Sequence, residues 1–225
     1  MFPKTQIQLY NRGGIKILLE FIYPTVCGLC NRISKRNICN ECELRLKDEF
    51  KNHQISYRNK EFNNHIFFCK YEGILREKLL DYKFNNKAYL FRFWAEIIMK
   101  NEKEYGIFEN YDIITSVPIH KKRKLVRGYN QSELIAKDIA KKYKNLSYID
   151  TLCKIKNTVP QSSLNRKQRS QNIKKAYKAK DVNLKNKKVV LFDDIYTTGE
   201  TVNECSRLLR KAGAETITVI TIAKD

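Results

Sequence analysis

The chain has 225 residues, enough for one well-filled domain and a small second module, and 44 Lys and Arg against 24 Asp and Glu give it a formal charge of +20. This excess is larger than solubility requires and fits a polyanionic partner, although an AT-rich genome also enriches lysine and asparagine. Charge alone therefore leaves nucleic-acid binding open. No apolar stretch reaches the roughly 20 residues that cross a bilayer, so we expect no membrane span and a soluble, cytoplasmic protein.

Residues 1–55 are predicted to form an amphipathic helix, a metal module and a linker. The helix is indicated by apolar residues at helical spacing before Pro24, namely Ile15, Leu18, Leu19 and Ile22. Two Cys-x-x-Cys pairs separated by eight residues are typical of a structural zinc ion with four thiolate ligands, here Cys27, Cys30, Cys39 and Cys42. The alternative, disulfide bonding, needs an oxidising compartment, and no secretory leader is recognisable.

Residues 56–225 alternate between predicted strands and predicted helices. Apolar runs predict strands at 66–69, 111–117, 189–192 and 216–223, and helical spacing predicts helices at 73–82, 90–98, 130–143 and 202–212. This alternation favours an α/β fold, a mostly parallel twisted sheet with helices on both faces. Ligands of such sheets bind beyond the carboxyl ends of the strands, where the connecting loops meet.

The strand that ends at Val117-Pro118 is followed by a predicted basic loop, because proline interrupts the ladder of the sheet. The cations of this loop precede Gly128 and are Lys121, Lys122, Arg123, Lys124 and Arg127. Asn130 and Glu133 then predict a capped helix. We expect this loop and the loop that follows residue 192 to meet in one crevice, which would hold both ends of a diphosphorylated sugar.

The loop that follows residue 192 predicts a phosphate site. It reads Asp193-Asp194-Ile195-Tyr196-Thr197-Thr198-Gly199-Glu200-Thr201 and leads into a predicted helix. The N-terminus of a helix offers unpaired N–H groups and a positive dipole end, while hydroxyl groups and Gly199 allow close contact with a phosphate. Because adjacent carboxylates repel a phosphate, we expect Asp193 and Asp194 to face ribose hydroxyls or Mg²⁺. Simple helix capping with an ordinary turn is the alternative explanation.

Residues 158–175 show neither helical nor strand periodicity and are predicted to form a mobile flap. The side chains expected to close on a phosphorylated ligand are Gln161, Arg166, Arg169 and Asn172. Closure of such a loop excludes water from a reactive sugar. A solvated surface loop is the alternative explanation.

Several motifs resemble those of the ComF family, in the same order and over nearly the whole chain. The loop 193–201 with its preceding strand resembles the diphosphoribosyl-binding motif of type I phosphoribosyltransferases. The four cysteines, the Lys83-Phe84 turn, Val117-Pro118 and the flap also match. The most specific element is Arg127-Gly128-Tyr129-Asn130-Gln131, which purine and pyrimidine salvage enzymes do not usually carry.

The resemblance implies a zinc finger fused to a type I phosphoribosyltransferase-like domain, in a family that comprises competence proteins of naturally transformable bacteria and is linked to incoming single-stranded DNA. It implies that Asp193 and Asp194 stand at the catalytic position and face the ribose of phosphoribosyl diphosphate, with Mg²⁺ on the pyrophosphate. The other residues that the resemblance implies for this ligand are Pro118, Arg127, Gly128, Thr197, Thr198, Gly199, Glu200 and Thr201.

Two functions of different class remain open from the sequence. In one, the chain binds phosphoribosyl diphosphate or a related sugar phosphate, handles single-stranded DNA, and works with proteins of the DNA-uptake machinery. In the other, it is an active phosphoribosyltransferase of the nucleobase salvage type with an unidentified acceptor. The sequence does not decide whether the chain is an enzyme, because a fold alone does not establish a reaction. No acceptor-binding residue is recognisable, and His120 is expected to be exposed and without a catalytic role.

Overall fold

The computed structural model describes residues 24–103, 105–157 and 175–225. The chain divides into two compact units, Met1–Leu46 and Lys47–Asp225. The sequence analysis placed the boundary after residue 55, but residues 53–56 pair with the main sheet of the second unit as its edge strand. The amphipathic helix predicted at 15–22 lies outside the described residues. In the part of the chain that the structure describes, no helix is long and apolar enough to span a membrane.

The first unit contains a cysteine-rich turn followed by a short helix. Val26 and Ile33 form an antiparallel bridge, and the N–H of Cys27 donates to the carbonyl of Arg32 at 2.8 Å. Asn31 closes this turn with a left-handed φ of 60°, a conformation that asparagine tolerates better than most residues. Helix α1 (Asn40–Leu46) follows, so the second cysteine pair spans the start of a helix.

The second unit combines six helices with eight strands in its described residues. The helices are α2 (Gly73–Phe84), α3 (Leu90–Glu102), α4 (Ile107–Asn110), α5 (Lys121–Arg127), α6 (Gln131–Ala140) and α7 (Glu200–Lys211). The strands are β1 (His53–Ser56), β2 (Asn64–Lys70), β3 (Ile113–Ser116), β4 (Ser147–Tyr148), β5 (Leu152–Lys154), β6 (Tyr177–Ala179), β7 (Lys188–Tyr196) and β8 (Thr216–Lys224). Strands and helices alternate along most of this unit, as the sequence predicted.

Six of these strands form one sheet in the order β1-β2-β8-β7-β3-β4. All neighbours in it are parallel except β1 and β2, which are antiparallel. The predicted α/β class with a mostly parallel sheet is therefore confirmed. Strands β5 and β6 pair separately as an antiparallel ladder and do not join the main sheet.

Residues 189–192 of strand β7 are buried on both faces of the sheet, which explains their uninterrupted apolar sequence. Val189 and Leu191 belong to one core cluster that also contains Val202, Cys205 and Leu209 of α7. The alternate residues Val190 and Phe192 are fully buried as well, and helix α6 packs against β3 and β7. The apolar run that predicted a buried strand is thus the centre of the domain. The strand continues beyond it to Tyr196, so Asp193 and Asp194 lie in β7 and not in the loop that was predicted after residue 192.

Two further local predictions differ from the structure. Lys83 and Phe84, predicted as a turn, are the last residues of α2, and the turn begins at Asn85. The predicted basic loop is instead helix α5, which ends at Gly128 with a left-handed φ of 81°. Lysine and arginine have good helix propensity, so the run 121–127 can form a helix directly after the buried end of β3. These two helices, in place of a turn and a loop, determine the directions of the Lys83 side chain and of the basic side chains of α5.

Candidate functional site

The carboxyl ends of β3 and β7 lie side by side. Ser116 pairs with Phe192 in the parallel ladder, and the N–H of Val117 donates to the Phe192 carbonyl at 2.9 Å. The segments that leave these strands therefore start at the same edge of the sheet, as predicted. A cleft of about 600 Å³ opens there and is lined from both segments.

Most of the residues predicted for the ligand line this cleft. They are Pro118 and Arg127 from the first segment and Asp193, Asp194, Thr197, Gly199 and Thr201 from the second. Thr198, Glu200 and Gly128 are not among the lining residues, although the Thr198 hydroxyl is buried without a hydrogen-bond partner in the described structure. The flap residues Gln161, Arg166, Arg169 and Asn172 lie outside the described residues. The ligand roles of all these side chains stay predictions.

The two carboxylates occupy different environments. One oxygen of Asp193 accepts hydrogen bonds from the Ser132 hydroxyl at 3.2 Å and from the N–H of Asp194 at 2.9 Å. Burial, and then the neighbouring charge of Asp194, raise the pKa of Asp193 well above its ordinary value. Asp194 instead forms a salt bridge with Lys83, whose Nζ lies 2.9 Å from Oδ1. The acid pair therefore does not carry two unpaired negative charges: burial disfavours the charge of Asp193, and Lys83 pairs with that of Asp194.

The loop from Thr197 to Gly199 leads directly into helix α7. Gly199 is its N-cap and has a left-handed φ of 76°, and its carbonyl accepts from the N–H of Asn203 at 2.9 Å. A Cβ at this position would overlap the hydroxyl of Tyr196, so glycine is required by both conformation and space. Gly199, Thr201 and Val202 at the N-terminal turn of α7 line the cleft.

An aromatic stack supports this loop from the sheet. The Tyr196 ring stacks on the buried His65 ring with centroids 4.2 Å apart, and Nε2 of His65 lies 2.8 Å from the Thr221 hydroxyl. Burial lowers the pKa of His65 to about 3, so this imidazole is neutral. The stack therefore holds the side chain that fills the space beside Gly199 without adding charge to the phosphate loop.

Helix α5 divides its cations between two cavities. Arg123 and Arg127, four residues apart and thus on one helical face, line the 600 Å³ cleft. Lys121 and Lys124 line a neighbouring cavity of about 450 Å³. The helical conformation, rather than the loop predicted, separates these side chains. Only part of the basic run is therefore available to a ligand beside the carboxylates.

Two residues near α5 differ from the sequence expectation. His120, predicted to be exposed, is only 8% exposed, and its Nδ1 accepts from the N–H of Lys122 at 3.3 Å. Asn130 is the N-cap of α6 by position, but its side chain makes no cap and donates to the Val117 carbonyl at 3.0 Å. Asn130 thus ties the start of α6 to the end of β3, where the cleft begins.

Several cleft residues were not predicted from the sequence. They are Tyr71, Arg76, Lys83, Ser132, Lys154 and Tyr177. Lys154 lies over the Tyr177 ring at 5.1 Å, and burial lowers the pKa of its ammonium. Tyr71 directly follows β2, whose carboxyl end lies at the same edge of the sheet because β2 is parallel to β8. The complete strand order of the sheet would have predicted Tyr71 as a cleft residue, but no short sequence motif predicts it.

The four cysteines of the first unit form a cluster that fits a metal ion. Their sulfur atoms all lie within 4.8 Å of one another, and Cys30 Sγ is 3.8 Å from Cys39 Sγ. Four Zn–S bonds of about 2.3 Å in a tetrahedron place sulfurs about 3.8 Å apart. Arg32 donates to Cys30 Sγ at 3.4 Å and lowers the pKa of that thiol to about 6, which favours the thiolate that binds metal. All four cysteines are free of disulfides, as a structural zinc site requires.

Within this α/β chain, residues 130–225 match the family model described as phosphoribosyl transferase domain. The chain is 26% identical to competence protein F of Haemophilus influenzae, over 85% of this chain and 92% of that protein. It is 26% identical to competence protein ComFC of Streptococcus pneumoniae, over 92% and 91% of the two chains. These homologues confirm the resemblance to the ComF family.

Two further similarities cover parts of the chain or its fold. The chain is 33% identical to the DNA utilization protein YhgH of Salmonella typhi, over 48% of this chain and 47% of that protein. Among solved structures, adenine phosphoribosyltransferase from Thermoanaerobacter pseudethanolicus matches 81% of this chain and 99% of its own length, with 15% identity and a TM-score of 0.40.

Proposed function

We propose that the chain is a competence-related protein of the ComF type that handles incoming single-stranded DNA in the cytoplasm, and that its phosphoribosyl transferase domain binds phosphoribosyl diphosphate. The observation that carries this proposal is the similarity to competence protein F and ComFC over 85–92% of the chain. Both similarities extend well beyond residues 130–225, which the phosphoribosyl transferase model matches. The name of the partial homologue, DNA utilization protein, agrees with it.

The proposed ligand pose follows from the charges around the cleft. The 5′-phosphate lies against the N-terminus of α7, where Thr197, Gly199 and Thr201 line the wall. The ribose hydroxyls face the acid pair, because hydroxyl groups donate to carboxylates and phosphates are repelled by them. The pyrophosphate lies toward the guanidinium groups of Arg123 and Arg127.

Binding of phosphoribosyl diphosphate is tested by a thermal shift. Addition of the ligand with Mg²⁺ should raise the unfolding temperature of the chain, since a ligand that binds only the folded state stabilises it. Asp193→Asn with Asp194→Asn should abolish the shift. The matched control, Asp48→Asn with Asp181→Asn, removes two exposed carboxylates outside the cleft and should keep it. An equal shift in both double variants would reject the assignment of the acid pair.

The DNA role rests on charge and on the homologues. With a formal charge of +20, the chain should bind oligo-dT with an affinity that falls steeply as salt rises, because neutralised phosphates release counterions. Fluorescence anisotropy at several salt concentrations measures this slope. Absent or salt-independent binding would contradict the DNA role. Interaction with proteins of the uptake machinery is part of the same proposal and is tested by pull-down with defined components.

Transfer chemistry is the second candidate, and the acid pair in the cleft is the observation that favours it. Departure of pyrophosphate leaves a cation-like sugar, which nearby carboxylates stabilise electrostatically while an acceptor attacks the anomeric carbon. A pyrophosphate-release assay across a panel of nucleobases tests it. Release with one base would make the chain a phosphoribosyltransferase, whereas none across the panel, with ligand binding retained, would support a binding role.

A further inference from the structure

Lys83 is the feature of the cleft that the proposed function does not explain. It is the penultimate residue of α2, and its Nζ lies 2.9 Å from Oδ1 of Asp194. The side chains of the two residues are only 17% and 14% exposed. Both line the cleft, so this ion pair stands in the wall that the ligand would contact rather than on an outer surface.

Within the described residues, Lys83 provides the salt bridge of the acid pair. Asp193 has no salt bridge there and is stabilised by the Ser132 hydroxyl and the N–H of Asp194. Arg123 and Arg127 also line the cleft, yet neither forms a salt bridge with either carboxylate in the described structure. The carboxylates are therefore not an open ligand set for a divalent ion, because one already bonds an ammonium and the other is disfavoured as an anion by burial.

An ammonium at this position has donors to spare. Lysine carries a compact point charge with three N–H donors, and the contact with Asp194 uses one of them. The others are free to meet the oxygens of a ribose or a diphosphate held beside the acid pair. A divalent ion in the same place would serve the same purpose, namely to join carboxylate to ligand and to offset the charge of the phosphates.

We propose that Lys83 is the built-in counter-cation of the cleft, so that phosphoribosyl diphosphate binds without a divalent metal ion. This inference rests on the proposed binding of that ligand and adds to it how the charge is balanced. Lys83 acts as a binding and specificity residue: it favours ligands that place hydroxyl or phosphate oxygens beside Asp194. A purely structural ion pair is the competing explanation, and it predicts no change in metal dependence when Lys83 is replaced.

The test is calorimetric titration of the full zinc-loaded chain with phosphoribosyl diphosphate, in Mg²⁺ and in metal-free buffer. Residual Mg²⁺ is removed from that buffer by a resin, with zinc content checked afterwards. For the wild type we expect affinities in the two buffers to agree within about threefold. For Lys83→Met we expect binding without Mg²⁺ to weaken by at least about tenfold and to recover with Mg²⁺. Lys87→Met, which removes the partner of Asp81 outside the cleft, should behave as the wild type.

The outcomes separate the inference from the proposed function. If the wild type binds the ligand in neither buffer, the proposed function fails. If it binds only with Mg²⁺, or if Lys83→Met shows no greater dependence on Mg²⁺ than the wild type, the role of Lys83 is overturned. Should Lys83→Met not fold, Lys83→Arg keeps the charge and the wild-type comparison still decides. Uptake of Mn²⁺ by the ligand-free protein, followed by electron paramagnetic resonance, should be stronger in Lys83→Met than in the wild type.

Discussion

The two units of the chain are stabilised by different forces. In the first, four sulfur atoms lie within 4.8 Å of one another, an arrangement in which a metal ion would supply the stability that a module of this size cannot obtain from an apolar core. In the second, central strands such as β7 and β8 are buried on both faces, and the hydrophobic effect dominates. One unit therefore depends on thiolate chemistry, while the other depends on packing, and perturbations of the two should be separable.

The same residue type plays opposite parts in the two units. Cys39 lies beside Cys30 at 3.8 Å in the cluster, whereas Cys205 is fully buried in the apolar core of the α/β domain. Burial, first of all, raises the pKa of the Cys205 thiol well above its ordinary value, so it behaves as a small apolar group. Cysteine substitutions are therefore the sharpest way to compare the units.

The largest effect is expected from Cys39→Ser. Loss of one thiolate should remove the zinc, about one ion per chain in the wild type, and unfold the first unit, because metal binding and folding are coupled in such modules. Elemental analysis measures the zinc, and hydrogen exchange should show lost protection in residues 24–46 but not in β7 and β8. Zinc retained at wild-type level would contradict this assignment of Cys39.

The matched substitution Cys205→Ser should produce the reverse pattern. Zinc content should be unchanged, and the free energy of unfolding of the α/β domain should fall by about 1–3 kcal/mol, because a hydroxyl replaces a thiol in an apolar site. Trp94, the only tryptophan of the chain and fully buried in this unit, reports the transition by fluorescence during urea unfolding. A loss of zinc in this variant would mean that the two units are not independent.

Gly199→Ala should act on the cleft, with an effect on stability similar to that of Cys205→Ser. The left-handed φ of 76° and the overlap with the Tyr196 hydroxyl should cost about 1–3 kcal/mol and displace the phosphate loop. Gly73→Ala is the control, because Gly73 has a similar φ of 56° but free space around a Cβ. Both variants should lose stability, whereas only Gly199→Ala should lose the thermal shift with phosphoribosyl diphosphate.

The smallest effect is a difference in pH response between the units. Glu102 is 1% exposed, and burial raises its pKa to about 7 from an ordinary value near 4.5. Its contribution to stability is therefore fully present below about pH 4.5 and is lost as the pH rises through about 7. Zinc binding changes in the opposite direction, since thiolates are protonated at low pH.

Glu102→Gln tests the contribution of the α/β domain to that difference. Trp94 fluorescence in urea at pH 5 and pH 8 measures the free energy of unfolding, and the decrease between the two should be smaller in the variant, because glutamine does not titrate. Zinc retention over the same range should be unaffected by the substitution. An unchanged decrease would show that other groups cause it.

Much of the fold was predictable because short segments of the sequence determine it. The apolar run at 189–192 and the helical spacing after Gly199 predicted β7 and α7, and the cysteine spacing predicted a four-sulfur cluster. The errors had two causes: a local helix propensity that the prediction overlooked, and a side-chain partner outside the local segment. The run 121–127 was predicted as a loop but forms α5, and Asn130 caps by position while its amide bonds to Val117.

The candidate site shows the same division. Asp193, Asp194 and the loop to Thr201 were predictable because they are contiguous in a strand, loop and helix order. Lys83, Ser132 and Lys154 were not predicted for the cleft, since each comes from a different element and reaches it only through the packing of α2, α6 and β5 around β7. Sequence spacing carries no information about such contacts.

By itself, the sequence determined the four-cysteine cluster, the mostly parallel α/β class and the strand that leads through a short loop into α7, because each is a local pattern of residue type and spacing. Only the tertiary structure decided the state of the acid pair: Lys83 is salt-bridged to Asp194, and burial holds up the pKa of Asp193. The ionisation state of a carboxyl group depends on its burial and its charged neighbours, which the three-dimensional packing decides. A sequence motif identifies the carboxyl groups but does not determine their ionisation state.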